Sequence, residues 1–255
     1  MWSCGYDNAT VAAEAVAGGF AAVAPFTDYS VSDVLTYNTI AALRNNTSFF
    51  QYTSEYNPKW IYAKDKIYLS VKKLSEIRAQ NPSRTLGMWI DAEHQDGRTS
   101  SQQMTHMQDL AEICANAPSG AFDFVIYTNP LKAPTQVYTG FNDSTTMQTL
   151  IADPNVTYIS IVISPNFVAP TITEELDEQI ALFGSALDMS KIMLVVGLGA
   201  PGTEFSVAQQ NELRAWIVAN QPGQINFWRF YATQGGARSR TPNQVIARLL
   251  GLSLT

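Results

Sequence analysis

Short apolar runs alternate along the chain with longer segments in which apolar residues recur every three or four positions. The short runs have the length of buried strands, and the longer segments have the spacing of amphipathic helices. This pattern predicts eight strands, at Met1–Tyr6, Phe20–Phe26, Phe49–Thr53, Leu86–His94, Phe122–Tyr127, Val156–Ile163, Ile192–Leu198 and Ile225–Tyr231.

A helical segment follows each predicted strand, and most of these segments carry recognisable start signals. Pro58 after Asn57 is typical of a first helical position, and Ser100 with Gln103 is compatible with a capping box. The predicted helices are Ala9–Gly18, Ser30–Arg44, Asn57–Gln80, a helix from Ser100 that includes Met104, Met107, Leu110 and Cys114, then Ser144–Ala152, Thr171–Leu187, Ser206–Ala219 and Thr241–Leu250.

Eight strand-helix units in 255 residues predict an α/β fold, a single (β/α)8 TIM barrel that spans residues 1–255. The rival is an open doubly wound sheet, which would place a glycine-rich phosphate loop after the first strand. The segment Cys4–Thr10 contains no such loop. The later turn Gly197–Gly202 is interpreted as a simple loop, because Pro201 removes a backbone donor and no P-loop lysine follows.

The charge and hydropathy of the chain narrow the class of partner. A net charge of −6 and a pI near 4.9 disfavour nucleic acid, whose phosphates require a basic face. No apolar run reaches the roughly 18 residues of a membrane span. The opening Met1–Gly5 lacks the basic start and apolar block of a signal peptide, so we expect none there. The sequence predicts no oligomeric state.

Glycosylation patterns bear on location. Acceptor patterns of the Asn-x-Ser/Thr type favour secretion weakly, because so short a pattern often arises by accident. We therefore expect an extracellular or cell-envelope location, and a cytoplasmic one stays open. The patterns start at Asn8, Asn45, Asn46, Asn142 and Asn155.

Cysteine and histidine are scarce, which limits metal and redox chemistry. Cys4 and Cys114 allow one disulfide at most, and we expect two buried free thiols. His94 and His106 are the only histidines, so a metal centre is poorly supported. We predict no metal and no organic cofactor.

The stretch Leu86–His94 carries the strongest chemical signal. It runs apolar and then presents Asp91 and Glu93 two positions apart, which puts both on one face of a strand with Cα atoms roughly 6–7 Å apart. Paired carboxylates at a strand end suit acid-assisted cleavage of a glycosidic bond. The alternative is an ordinary loop in which both acids are solvated or salt-bridged.

The other predicted strand ends add polar and aromatic residues to the same edge of the barrel, where active groups of such barrels gather. Aromatic rings stack on sugar rings, while amides and carboxylates bind hydroxyl groups. The alternative for each ring is an aromatic cap on the core with a wet polar end, and we expect Trp89 and Trp216 to be core. The candidate residues at these ends are Tyr6, Asp7, Tyr52, Tyr127, Asn129, Trp228 and Tyr231.

These motifs resemble known glycosidases. Gly5-Tyr6-Asp7 together with Trp89–Glu93 is similar to family 25 glycoside hydrolases, the lysozyme-type muramidases, which have an Asp after strand one and an Asp-x-Glu after strand four. The segment Phe227–Tyr231 resembles that family's Trp-Gln-Tyr strand. The Asp-x-Glu also resembles family 18 chitinases and endo-N-acetylglucosaminidases, and Gly87 matches their longer signature.

The resemblance implies a glycosidase acting on a β-linked N-acetylhexosamine polymer of the peptidoglycan or chitin type. Glu93 would be the general acid, and Asp91 would raise its pKa and hold the substrate's N-acetyl group. Asp7 would add electrostatic support, and Tyr127, Trp228 and Tyr231 would form the sugar platform.

Two other functions stay open. One is a catalytically inactive carbohydrate-binding or structural barrel, since the fold alone does not fix function. The other is a phosphodiesterase or aldolase barrel. The scarcity of histidine and the lack of a lysine at a strand's carboxyl end disfavour it, because Lys191 precedes its strand.

Overall fold

The structure is a computed structural model that describes residues 2–6, 22–25, 48–54, 63–80, 82, 85–92, 99–128, 143–165, 170–197 and 205–228. Eight parallel strands form one sheet that closes on itself, because each strand pairs with the next and β8 pairs with β1. The strands are β1 (Trp2–Tyr6), β2 (Ala22–Pro25), β3 (Ser48–Ser54), β4 (Leu86–Asp91), β5 (Asp123–Tyr127), β6 (Tyr158–Ile163), β7 (Ile192–Gly197) and β8 (Gln224–Trp228). The predicted (β/α)8 barrel is therefore confirmed.

Five α-helices lie within the described residues, each between consecutive strands. They are α1 (Ala63–Gln80), α2 (Ser100–Ala115), α3 (Ser144–Ala152), α4 (Ile172–Ala181) and α5 (Val207–Asn220). The predicted helices at 9–18, 30–44 and 241–250 lie outside the described residues, as does the predicted start of α1 at Asn57.

Two helix ends differ from the prediction. The capping box of α2 starts at Thr99, not Ser100: Thr99 Oγ1 accepts from the backbone N–H of Gln102, whose side chain accepts from Thr99 N. The helix predicted to reach Leu187 ends at Ala181. Gly184 then has φ +48°, a left-handed conformation that suits glycine, and short 3-10 helices follow at Gly184–Ala186 and Met189–Lys191.

One strand start also differs. β6 begins at Tyr158 rather than Val156 because Asp153 organises a turn before it. Its carboxylate accepts from Asn155 N at 2.9 Å, and its carbonyl accepts from Val156 N at 3.2 Å. Apolar character alone extended the predicted strand into this turn.

Burial on both faces of the sheet explains why the strand sequences are almost continuously apolar. On the outer face, alternate residues such as Met88, Ile126 and Leu194 join one core cluster with residues of the surrounding helices, including Leu110. The intervening strand positions are also buried but do not belong to that cluster, so alternation turns them towards the barrel interior. This inward set comprises Trp89, Val125, Tyr127, Ser160, Val162, Met193, Val195, Gln224 and Asn226.

The expected core positions of both tryptophans are confirmed, since Trp89 is 1% and Trp216 is 3% exposed. Cys114 is a fully buried free thiol, as expected, so it forms no disulfide with Cys4. Burial raises the pKa of the Cys114 thiol to about 12. Among the described helices, none is long and apolar enough to cross a bilayer.

Candidate functional site

The carboxyl edge of the barrel brings several predicted site residues into register. Asp91 is the last residue of β4, and it pairs in register with Ser54 of β3 on one side and Tyr127 of β5 on the other. On the far side of the barrel Trp228, the last residue of β8, is in register with Gly197. Asp91 and Trp228 therefore lie at the carboxyl ends of their strands, and their roles in a site stay predictions.

The chain is anchored immediately after Asp91. Ala92 is fully buried, and its N–H donates to the carbonyl of Tyr127 at 2.7 Å. Its own carbonyl accepts from Nε2 of Gln103, a fully buried α2 side chain, at 3.4 Å. The backbone is thus tied to β5 on one side and to a helix on the other, one residue before Glu93.

Beneath this edge the barrel interior is aromatic and polar. The rings of Trp89 and Tyr127 lie with centroids 5.7 Å apart, tilted by 35°. Tyr127 is only 4% exposed, so its ring lies in the floor below the strand ends and not on an open platform. On the β8 side, Gln224 and Asn226 are buried inward-facing amides, where aliphatic side chains are the usual filling of such a barrel.

The pairing register of the strands locates the remaining predicted aromatic residues in the sheet. Tyr52 is in register with the inward-facing Trp89, and Trp228 follows the inward-facing Asn226 by two positions. Tyr6 is two positions after Cys4, which is in register with Phe227 of the outer cluster. The backbone register therefore gives the neighbours of Tyr52, Trp228 and Tyr6 in the sheet, and the roles of these three residues stay predictions.

The barrel wall is modified between β5 and β6 near the same edge. The paired register of these strands covers Val125 with Tyr158 and Ile126 with Ile159. One residue further along β6, the hydroxyl of Ser160 makes the hydrogen bonds to Thr128, just after β5, that backbone groups make elsewhere in the sheet. Its Oγ accepts from Thr128 N at 2.7 Å and donates to Thr128 O at 2.6 Å.

A helix side chain continues this substitution on β6. Gln179 of α4 is buried, and its amide makes two bonds to one backbone unit: Val162 N donates to Oε1 at 2.8 Å, and Nε2 donates to Val162 O at 2.7 Å. The primary amide thereby copies the pairing that a neighbouring strand would supply. We call Ser160, Gln179 and their backbone partners Thr128 and Val162 the β5–β6 seam.

Four predicted site residues lie outside the described residues: Glu93, Asp7, Asn129 and Tyr231. Their roles remain predictions, as do those of the five on described strands. Ser160 and Gln179 were not among the predicted residues, and Gln103 was predicted only as part of a capping box and not as a partner of Ala92. The sequence signal that could have identified them is a polar residue at a position where the hydrophobic periodicity of the strand or helix predicts a buried one.

The one perturbed strand carboxylate with a described side chain is at the opposite end of the barrel. Asp123 begins β5, and burial raises the pKa of its carboxyl, while a hydrogen bond from Thr157 and the charge of Arg78 act in the other direction. Arg78 also donates to the carbonyls of Ser119, Gly120 and Ala121. Groups at the amino end of such a barrel serve stability, so this cluster is structural.

Metal-binding groups are not assembled within the described part of the chain. No group of three or more His, Cys, Asp or Glu side chains there could hold a metal ion. Gly197, at the start of the glycine-rich turn, has a packing role: an added Cβ would lie 3.1 Å from Cβ of Ser164.

Comparisons with known proteins give fold similarity alone. No protein-family model and no curated protein sequence matches the chain. The catalytic domain of a hyperthermophilic chitinase from Pyrococcus furiosus matches with a TM-score of 0.62 at 11% identity, covering 98% of this chain and 94% of that one. A thermostable xylanase mutant from Cellvibrio japonicus matches with a TM-score of 0.55 at 13% identity, covering 98% and 96%.

Barrels with other chemistry also match. A malate synthase from Haloferax volcanii has a TM-score of 0.52 at 10% identity, covering 100% of this chain and 73% of that one. The similarity to glycoside hydrolases therefore holds at the level of the barrel. Nothing in these comparisons identifies family 25 or family 18, so that finer assignment remains a prediction.

Proposed function

We propose that the chain is a glycoside hydrolase that cleaves β-linked N-acetylhexosamine polymers of the chitin or peptidoglycan type. The observation that carries the proposal is the position of Asp91 at the carboxyl end of β4, in register with Tyr127, with the next residue, Ala92, bonded to both β5 and α2. The backbone is thus held by hydrogen bonds at Ala92, the residue before Glu93, which supports Glu93 as the proposed acid.

Asp91 and Glu93 have different roles in the proposed reaction. Asp91 ends β4 two positions after Trp89, and Glu93 follows two residues later. Two carboxylates this close in sequence repel each other, so the proton on one is retained to higher pH. Glu93 is the group that holds this proton as general acid, and Asp91 remains ionised beside it.

The reaction proceeds in two balanced steps. Glu93 donates its proton to the glycosidic oxygen as the bond from that oxygen to C1 breaks and the acetamido carbonyl oxygen attacks C1. Asp91 accepts a hydrogen bond from the acetamido N–H and stabilises the positive charge that forms on the ring. A water molecule then attacks C1, Glu93 takes its proton, and the acetamido group is restored. This substrate-assisted route departs from the usual two-carboxylate scheme and needs no cofactor.

Aromatic and amide residues of the same edge bind the sugar. The described geometry supports a layered arrangement, because Trp89 and Tyr127 pack together in the floor and Trp228 ends β8 on the opposite wall. Asp7 supplies further negative potential near the reacting carbon. In this proposal Trp228 and Tyr231 form the sugar platform, Tyr127 supports it from the floor, where it is 4% exposed, and Tyr6, Tyr52 and Asn129 supply further contacts. The substrates named place the protein outside the cell or at the cell envelope.

The test is a reducing-end assay of the purified chain on a panel of polymers. We expect release from colloidal chitin or peptidoglycan and none from xylan or cellulose, which lack the acetamido group. Fully deacetylated chitosan is the sharpest control, because it keeps the linkage and loses the internal nucleophile. Equal cleavage of chitin and chitosan would refute the substrate-assisted route. Binding of chitin oligomers without release of reducing ends would instead identify an inactive carbohydrate-binding barrel.

A further inference from the structure

A groove on the outside of the barrel, between α1 and α2, has the composition of a second glycan-binding site. Its volume is about 520 Å³, and it is open to solvent along its length. The groove is separate from the strand ends, because both walls belong to the helical layer. Its lining includes Tyr68 and Val71 from α1, and Asp109, Glu112 and Asn116 from α2 and its C-cap.

The wall formed by α1 carries an exposed aromatic ring. Tyr68 is 58% exposed, although it lies one turn before Val71, which is 6% exposed and forms the floor with Ala117. An exposed tyrosine that lines a groove beside apolar residues offers a ring on which a sugar can stack. The partly buried Ile113 extends the apolar strip.

The wall formed by α2 supplies polar groups. Glu112 and Asn116 are one helical turn apart, and both are exposed. Asn116 Nδ2 donates to the carbonyl of Glu112 at 3.0 Å, which fixes the plane of the amide at the end of the helix. A carboxylate and an oriented amide beside an aromatic ring can bind the hydroxyl and acetamido groups of a pyranose.

The charge of the groove selects the kind of glycan. Asp109 and Glu112 are the charged residues among its lining residues, and both are acidic. An anionic polymer would be repelled, which excludes acidic glycans, whereas the hydroxyl groups of a neutral chain can donate hydrogen bonds to the two carboxylates. The apolar floor adds preference for a sugar that carries an acetamido methyl group.

We propose that this α1–α2 groove binds a neutral N-acetylhexosamine chain at a distance from the strand-end site, with Tyr68 as its stacking residue. The choice of this sugar rests on the proposed function. A second contact of this kind would hold an insoluble polymer against the enzyme while the strand-end site works on one segment, and the two contacts would raise the apparent affinity together.

The experiment measures partition of the full chain onto insoluble chitin, beside hydrolysis of a short soluble substrate that reaches only the strand-end site. We expect Tyr68→Ala to bind chitin about five- to tenfold more weakly, in line with the loss of one stacked ring. Tyr68→Phe keeps the ring and should bind as the parent does. Val218→Ala, at a 65% exposed position on α5, is the matched surface control. Hydrolysis of the soluble substrate should be equal in all four proteins.

The outcomes separate this proposal from the proposed function. Chitin binding that depends on Tyr68 without any hydrolysis would support the groove and refute the glycosidase. Hydrolysis with chitin binding unchanged in Tyr68→Ala would overturn the groove and leave the glycosidase standing. Sedimentation that shows a self-associated chain, dissociated by Tyr68→Ala while chitin binding stays constant, would assign the groove to a second copy and also overturn the proposal.

Discussion

The β5–β6 seam gives the most quantitative prediction, through replacement of Gln179 by leucine. The variant keeps the side-chain volume close to that of glutamine but removes the donor and the acceptor that bind Val162 at 2.7 and 2.8 Å. Each buried backbone group left without a partner costs roughly 1–3 kcal/mol, and the greater hydrophobicity of leucine offsets about 1 kcal/mol. We expect a net loss of about 3 kcal/mol in the free energy of unfolding. For a domain of this length that corresponds to a fall of about 6 °C in Tm.

Scanning calorimetry and native-state hydrogen exchange test this prediction together. Glu178→Leu introduces the same residue at the exposed neighbouring position of α4 and should change Tm by about 1 °C at most. The Val162 amide should exchange much faster in Gln179→Leu and at the parental rate in the control. If the two variants melt within 1 °C of each other, the amide does not hold the seam and our reasoning about it is wrong.

Three further predictions concern other described side chains. Hydrogen bonds from the backbone of Thr173 and its neighbours lower the pKa of Glu212. The ionised carboxylate therefore stabilises the fold fully above the ordinary pKa of about 4.3, and this contribution is lost as pH falls through the lowered pKa. The difference in Tm between the parent and Glu212→Gln should be full at pH 7 and shrink below about pH 4, and a constant difference would contradict the assignment. With its pKa near 12, Cys114 in a Cys4→Ser chain should resist iodoacetamide at pH 8 until urea unfolds the protein, as mass spectrometry would show. Gln103→Leu should lower kcat roughly tenfold or more with little change in KM, because Gln103 positions the backbone before Glu93 and does not contact substrate; an equal rise in KM would argue for direct binding instead.

The fold could be predicted because strand and helix periods are local properties of the sequence. Every predicted strand coincides with an observed one to within a few residues. Helix ends were less predictable where a single backbone conformation decides them. The left-handed Gly184, with φ +48°, lies three residues after the end of α4, and the cap of α2 falls on the extended Thr99 rather than on Ser100.

The supporting residues of the site could not be predicted from local pattern. Gln103 binds a carbonyl 11 residues earlier, and Gln179 binds a backbone unit 17 residues earlier. Such contacts exist only once a helix has packed on its strand, so no periodicity reports them. Tyr127 illustrates the same limit. The sequence shows a tyrosine at a strand end but does not show whether its ring is open to a ligand. In the structure the ring packs on Trp89 and is 4% exposed, so it is part of the floor.

The central claim is that Glu93 transfers a proton to the glycosidic oxygen, and one comparison tests it most directly. The parent chain and Glu93→Gln are assayed side by side for reducing ends released from chitin oligomers, with circular dichroism and Tm to show that both are folded. We predict that Glu93→Gln melts within about 1 °C of the parent and loses about 99% of turnover or more, in keeping with the 10²–10⁴-fold contribution of general acid catalysis. A folded Glu93→Gln chain that cleaves every substrate at the parental rate would contradict the account.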